Sequence, residues 1–215
     1  YCPLCYLLAM ALLARRREGR KTSNAEWYNP SDPDAKIGRT KHGACDMLHK
    51  PEHIVDLDSG AIVAAEVRPG DAGDSEDLSS RVIEAAELVE DLHGQPSQEG
   101  RSHVKSVTTD KGFHDPAELA IIQHELGLRT IIGDAHALRR NLDRLAPEAR
   151  AAVVKAARAV ASRSGKALLK KRGEKIERSF AHVLDSGGQR RTTLRGLDNI
   201  NKRYLCAIIG FNLGL

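Results

Sequence analysis

The spacing of hydrophobic positions along this chain changes several times, and each change predicts an element. His53-Ile-Val-Asp-Leu57 and Ala61-Ile-Val-Ala-Ala-Glu-Val-Arg-Pro69 are β-rich runs on either side of Asp58-Ser59-Gly60. They predict a hairpin, with Asp58 as its turn residue. Over Ser79–Gly94, Val82, Ile83, Ala86, Val89 and Leu92 recur at helical spacing, which predicts a helix packed on the sheet. Val104–Asp110 reads as a strand and Lys111–His114 as a turn. Asp115-Pro116-Ala117-Glu118 then has the form of a helix start: an Asp cap, Pro at the first helical position and an acid three residues after the cap. The helix runs to Gly127, and Leu128–Gly133 follows as another strand. A β-α-β unit places its two strands parallel with a right-handed crossover.

Leu138–Lys170 is rich in Ala and Arg with few breakers, which predicts long helices on the surface or along a polyanion. Residues 168–182 read as a helix whose apolar stripe is Ile176, Phe180 and Val183. Glu177 falls beside that stripe and is expected at the edge of the buried face. Glu174 lies one turn earlier, among Lys170, Lys171, Arg172, Lys175 and Arg178. As an ordinary solvated helix, this stretch would simply pair Glu174 with Arg178. Asn199–Leu215 reads as a closing core helix, through Ile200, Tyr204, Leu205, Ile208 and Phe211. Residues 15–49 are polar, basic and turn-rich, and predict an extended or loop segment; Gln95–Arg101 predicts a polar loop. Residues 1–14 are apolar and read as a packed helix or as the cut end of a longer chain.

The composition, 41% hydrophobic and 29% charged over 215 residues, is that of a soluble globular chain and excludes a disordered one. The apolar opening is too short to span a bilayer, and Arg15–Arg17 lie on the wrong side of it for a signal peptide. Cys2, Cys5, Cys45 and Cys206 make no disulfide framework, which points to a reducing cytoplasm. Cys2 and Cys5 form a single CxxC with no second pair at zinc-finger spacing. The net charge of +4 hides an asymmetry: residues 150–205 hold 15 Lys/Arg against 4 Asp/Glu, leaving the rest of the chain at −7. That pattern points to a polyanion partner for the C-terminal third.

Two carboxylates carry the candidate chemistry. Asp110 is placed at the C-terminal end of a parallel strand, where open α/β sheets set their ligands. Glu177 lies downstream on the basic helix. Hard carboxylate oxygens suit Mg²⁺ or Mn²⁺, and two such ions roughly 3.5–4 Å apart serve phosphoryl transfer.

Several motifs occur in series: Lys21-Thr-Ser-Asn-Ala-Glu-Trp27, Asp32-Pro-Asp-Ala-Lys-Ile37, His49-Lys-Pro-Glu-His53, Val55–Val63 and Asp110-Lys-Gly-Phe-His114. Arg172–His182, Gly187-Gly-Gln-Arg-Arg191 and Gly210-Phe-Asn-Leu-Gly214 follow. In that order they resemble the DDE transposases of bacterial insertion sequences, from about residue 15 onward. The resemblance implies an α/β fold of RNase H-like type, a mixed sheet flanked by helices, over residues 49–215. Residues 1–48 would precede it as an N-terminal helix and basic extended segment. It also implies an Asp-Asp-Glu triad with two Mg²⁺ or Mn²⁺ ions, Asp110 matching the second Asp and Glu177 the Glu, with Glu174 as the fallback one turn away. Lys171, Arg172, Lys175, Arg178, Arg190 and Arg191 would hold DNA.

The family's first Asp, on the central strand, has no counterpart before Ser23, so the chain is expected to be incomplete at its N-terminus. Asp56 is the one strand-like Asp available as a substitute metal ligand. His53, His114 and His182 sit within these motifs and are expected to position groups beside a phosphate site. The implied function is metal-dependent cutting and strand transfer of insertion-sequence ends in the bacterial cytoplasm, impaired in this chain. The implied partners are terminal-repeat and target DNA and a second copy on DNA, with no membrane. The alternative is a non-enzymatic DNA-binding transposase remnant.

Overall fold

A computed structural model describes residues 27–39, 45–93 and 103–215. The expectations for residues 1–26, including the Cys2–Cys5 pair, and for the 95–101 loop lie outside the described residues. The architecture is mixed α/β. Strands β1 (Lys36–Arg39), β2 (Cys45–Val55) and β3 (Ile62–Pro69) form an antiparallel sheet in that order. Helix α1 (Leu78–His93) follows, then β4 (Ser106–Thr109), α2 (Pro116–His124) and β5 (Arg129–Ile132). Helices α3 (Pro147–Ala161), α4 (Arg163–Phe180) and α5 (Leu197–Leu213) complete the chain. No strand among the described residues joins the antiparallel ladder to the β4–β5 ladder. None of the described helices is long and apolar enough to cross a membrane.

The expected loop over 15–49 is corrected in its described part. Lys36–Arg39 and Cys45–His49 are strands, with Ile37 opposite Met47 and Lys36 opposite Leu48. The signal was masked because these residues are half-buried on a short, polar edge. Asp32 and Asp34 also accept hydrogen bonds from the backbone of Gly196 and Leu197 (3.1 and 2.9 Å), tying this segment to the start of α5.

The hairpin forms where expected, but its turn is made differently. The Asp56 carboxylate, and not that of Asp58, accepts from the backbone of Asp58 (3.2 Å) and Ser59 (2.9 Å) and from the Ser59 hydroxyl (2.5 Å). Gly60 then closes the loop at φ +86°, a conformation that favours glycine. The outer edge of β3 is covered by α5. Asn212 accepts from Ile62 N–H (2.9 Å) and donates to Ile62 C=O (2.8 Å), while Asn201 accepts from Val67 N–H (3.0 Å). Because Val67 N–H points to Asn201, its cross-strand partner Pro51 sits at a non-hydrogen-bonded pair, and the missing proline donor costs that ladder nothing.

The βαβ unit is also present. β4 and β5 are parallel, Thr109 opposite Ile132, and Asp115 caps α2 by accepting from Ala117 and Glu118 N–H. Glu118 does not close a capping box; its carboxylate accepts from Ser79 N–H at the start of α1 (2.6 Å), binding two helix N-termini together. Around this unit lies one apolar core, with Leu78, Val82, Leu119, Ile122, Leu128, Ile132, Ala152, Val153 and Ala156. Helix α3 is therefore not a surface helix as its composition predicted. Ala152 and Ala156 are fully buried, and their small side chains let the helix backbone approach β5 and α2.

The second core packs the hairpin against α4 and α5 through Val55, Ile62, Val67, Val183, Ile200, Tyr204 and Ile208. A polar triad sits in it. The Ser179 hydroxyl donates to Ile176 C=O (2.9 Å), so its oxygen accepts from His53 Nε2 (2.8 Å). His53 Nδ1 is left to accept from the Tyr204 hydroxyl (2.9 Å), which assigns the neutral Nε2–H tautomer. Phe180 stacks on the ring at 4.0 Å between centroids. Burial pushes the His53 imidazole down to about 4.

In the unfolded chain this ring takes up its proton near pH 6.5, while the folded chain refuses it until about pH 4. Stability is thus whole above pH 6.5 and falls as pH drops through that window, by up to about 3 kcal/mol. Urea denaturation at pH 7.5 and 4.5 will read this loss. In a His53→Gln variant the pH dependence should flatten; an unchanged slope would mean that other groups carry it.

Candidate functional site

β4 and β5 end side by side, and the chain leaves them at Asp110 and Gly133. The Asp110 side chain is 67% exposed and makes no capping bond to the turn Lys111–Phe113 that follows it. It is not serving as a turn former. Its Oδ1 accepts from Arg172 Nη1 at 2.6 Å, across 62 residues of sequence. Lys171, the preceding residue on α4, donates to Asp58 Oδ1 at 2.5 Å. A Cβ on Gly60 would lie 3.1 Å from Lys175 Nζ, so this lysine also reaches the hairpin turn. One face of α4 thus bridges the hairpin turn and the end of β4, and three of the sequence motifs meet there.

Glu177 is exposed and is not at the edge of the buried face. Ser179 is the buried position of this turn, at 1% exposure, because its hydroxyl is satisfied by Ile176 and His53. Two residues at about 100° each put Glu177 roughly 160° away from it around the helix. By the same geometry Glu177 lies about 140° around from Arg172, which holds Asp110. Glu174 is exposed as well, and no ion pair joins it to Arg178. The α4 rotation ends in a π-helical turn, Ala181–Ser186.

Asp56 is explained by its turn. Partial burial opposes ionisation, but hydrogen bonds from Ser59 and Asp58, with Lys171 nearby, hold its carboxyl below the usual range. Arg190 Nη2 and Nε bond the carboxylate of Asp185 on the π turn, while Arg178 and Arg191 are exposed. His53 does not flank a phosphate site; it is a core residue. His114 is also enclosed, its side chain 2% exposed. Burial lowers its pKa, and Arg140, 3.5 Å from Nδ1, acts in the same direction.

A group that the sequence patterns did not single out sits at the same strand ends. Asp134 takes both Nε (2.5 Å) and Nη2 (3.1 Å) of Arg140, and the fork holds its carboxyl at about 2. The signal was available: Ile-Ile-Gly-Asp134 leaves β5 much as Thr-Thr-Asp110 leaves β4.

These positions decide what the arrangement fits. Among the described residues no three His, Cys, Asp or Glu side chains gather to hold a metal ion. Asp110 offers one carboxylate oxygen beyond the one bonded to Arg172, and Asp134 is occupied by Arg140. The donor set that two Mg²⁺ or Mn²⁺ ions need is not assembled in this arrangement. The site's charge is instead that of a basic helix face leaning on two exposed acids. No protein-family model matches the chain, and neither a curated protein nor a solved structure matches it.

Because Asp110 is exposed, its pair with Arg172 should couple weakly. A double-mutant cycle of Asp110→Asn and Arg172→Ala in urea denaturation should give less than about 1 kcal/mol. Coupling above about 2 kcal/mol would make the pair a structural clamp and not an ion pair that a ligand can exchange.

Proposed function

We propose that this chain acts in DNA transposition, as a protein of the DDE transposase type with RNase H-like architecture, and that α4 is its DNA-holding helix. The carrying observation is the junction of Arg172 and Asp110, which brings the Asp110–His114 motif and the Arg172–His182 motif together. The charge pattern adds to it. Of the six cations on α4 from Lys166 to Arg178, Lys171 and Arg172 have acidic partners, while Lys166, Lys170, Lys175 and Arg178 have none among the described residues. Unpaired cations along one helix suit a line of backbone phosphates. The hairpin-side Lys171 lies on the same helix, and Arg191 is a further exposed cation for the same partner. Duplex DNA is the partner, and a second copy on paired DNA ends belongs to the same reading.

Binding of fluorescent duplex DNA should weaken steeply between 50 and 200 mM salt. The double variant Lys170→Ala/Arg178→Ala should lower the log–log salt slope by about 2, one for each phosphate that is no longer neutralised. Affinity that ignores salt, or no affinity at all, overturns the proposal.

The second reading, that the chain itself cuts and joins DNA with Mg²⁺ or Mn²⁺, is favoured by the place of Asp110 at the C-terminal end of a parallel strand. In that reading Asp110 supplies one carboxylate, and Glu177, which points away from it in this arrangement, would have to be brought to it when DNA and metal bind. Nicking of supercoiled plasmid should then require the metal and be lost in Asp110→Ala and in Glu177→Ala, with DNA binding retained. Nicking that survives both substitutions removes these residues from the chemistry.

A further inference from the structure

The opposite end of β5 carries a cleft that the transposition reading does not use. It encloses about 470 Å³ and is lined by Gln123, Leu128, Arg129, Thr130, Lys155 and Arg158, among others. Three of these are cations, and no acid among the described residues lies within ion-pair distance of any of them. Arg129 opens β5; Lys155 and Arg158 are one turn apart on α3, so their side chains lean the same way.

The Arg129 guanidinium is held in place by neutral groups. Nη2 donates to Ser162 Oγ (2.9 Å) and to Ser164 Oγ (3.1 Å), and Nη1 to Ser164 Oγ (3.1 Å). Hydroxyls orient the fork without cancelling its charge. Ser162 also caps α4, accepting from Gly165 N–H (3.0 Å), so the positive end of an 18-residue helix lies beside the same guanidinium. At the cleft wall, Gln123 Nε2 donates to Thr130 Oγ1 (2.6 Å) and Ala152 C=O (3.0 Å). Its Oε1 is a buried acceptor with no protein donor. Three uncancelled cations, one pre-oriented, match a group with several anionic oxygens.

We infer that this cleft is a phosphate-binding site, formed by Arg129, Lys155 and Arg158 with Thr130 and Gln123 at its wall. The shared chemistry is a phosphoryl group, either inorganic phosphate or the backbone of a nucleic acid. The site is separate from the α4 face and does not rest on the transposition reading. Three cations lining one cleft favour a phosphate, with its several anionic oxygens, over a carboxylate ligand.

The test is an amide chemical-shift titration of the purified chain with inorganic phosphate and, separately, with a short DNA duplex. Its variants are Lys155→Ala/Arg158→Ala, at two exposed positions, and the control Arg139→Ala/Arg144→Ala, past the other end of β5. Phosphate should shift the amides of residues 127–130 and 155–159 saturably, with the affinity at least tenfold weaker in the cleft variant and unchanged in the control. Shifts there with duplex alone, abolished in the same variant, assign the site to backbone phosphate. Retained native dispersion in both variants separates loss of binding from loss of fold. No saturable shift at these amides with either titrant, or equal loss in the control, overturns the inference.

Discussion

Two neighbouring residues of β2 point opposite ways, and the rest of the molecule is arranged around that alternation. His53 faces the hairpin core and bonds α4 through Ser179 and α5 through Tyr204. Glu52 faces the other side, where its carboxylate meets Arg81 of α1, with Lys50 at 3.1 Å and Arg68 at 3.8 Å. The Glu52 side chain is 11% exposed, and directly across the ladder stands Glu66. Two like charges so placed repel. They are tolerated because Arg68 and Arg81 each lie within 3.8 Å of Glu66 as well. Removing Arg81 would leave the enclosed Glu52 carboxylate to Lys50 and Arg68 alone, which is costlier than losing a surface ion pair.

Arg81 carries this linkage onward. It donates to the backbone carbonyls of Asp74 and Glu76, and its guanidinium stands 6.0 Å from the Phe113 ring. Phe113 lies in the turn immediately after Asp110. The hairpin, α1 and the strand-end turn are therefore joined through one side chain, while Arg172 and Lys171 join the same turn and the hairpin loop to α4. The candidate site sits where the two cores meet, and cations from α1 and α4 make the connection.

The parts legible in the sequence are those set by local chemistry. The Asp115-Pro116 start of α2, the glycine turn of the hairpin and the parallel strand pair all follow from capping, positive φ and short apolar runs. What escaped was set by partners distant in sequence. Ser179 falls between Ile176 and Val183 on the helix face, but that a hydroxyl can be buried there depends on His53, 126 residues away, which supplies its hydrogen bond. With Ser179 on the buried side, Glu177 lies roughly 160° away around α4 and faces solvent. Ala152 and Ala156 read as surface because alanine suits any helix; only the closeness of β5 shows that they are core. Asp56 and Asp58 are alike in type, and only the Ser59 hydroxyl and Lys171 tell the turn former from the ion-pair partner.

The two asparagines of α5 that bond β3 have a consequence for how the molecule meets copies of itself. A bare hairpin edge is a template on which another chain can add a strand. Here Asn212 takes both backbone groups of Ile62, and Asn201 takes the N–H of Val67 three turns earlier on the helix. Side-chain amides imitate the missing neighbour strand, so the sheet ends at β3 by occupancy and not by repulsion. Growth of the sheet past β3 would require α5 to detach first, which makes this helix the guard of that edge against self-templating.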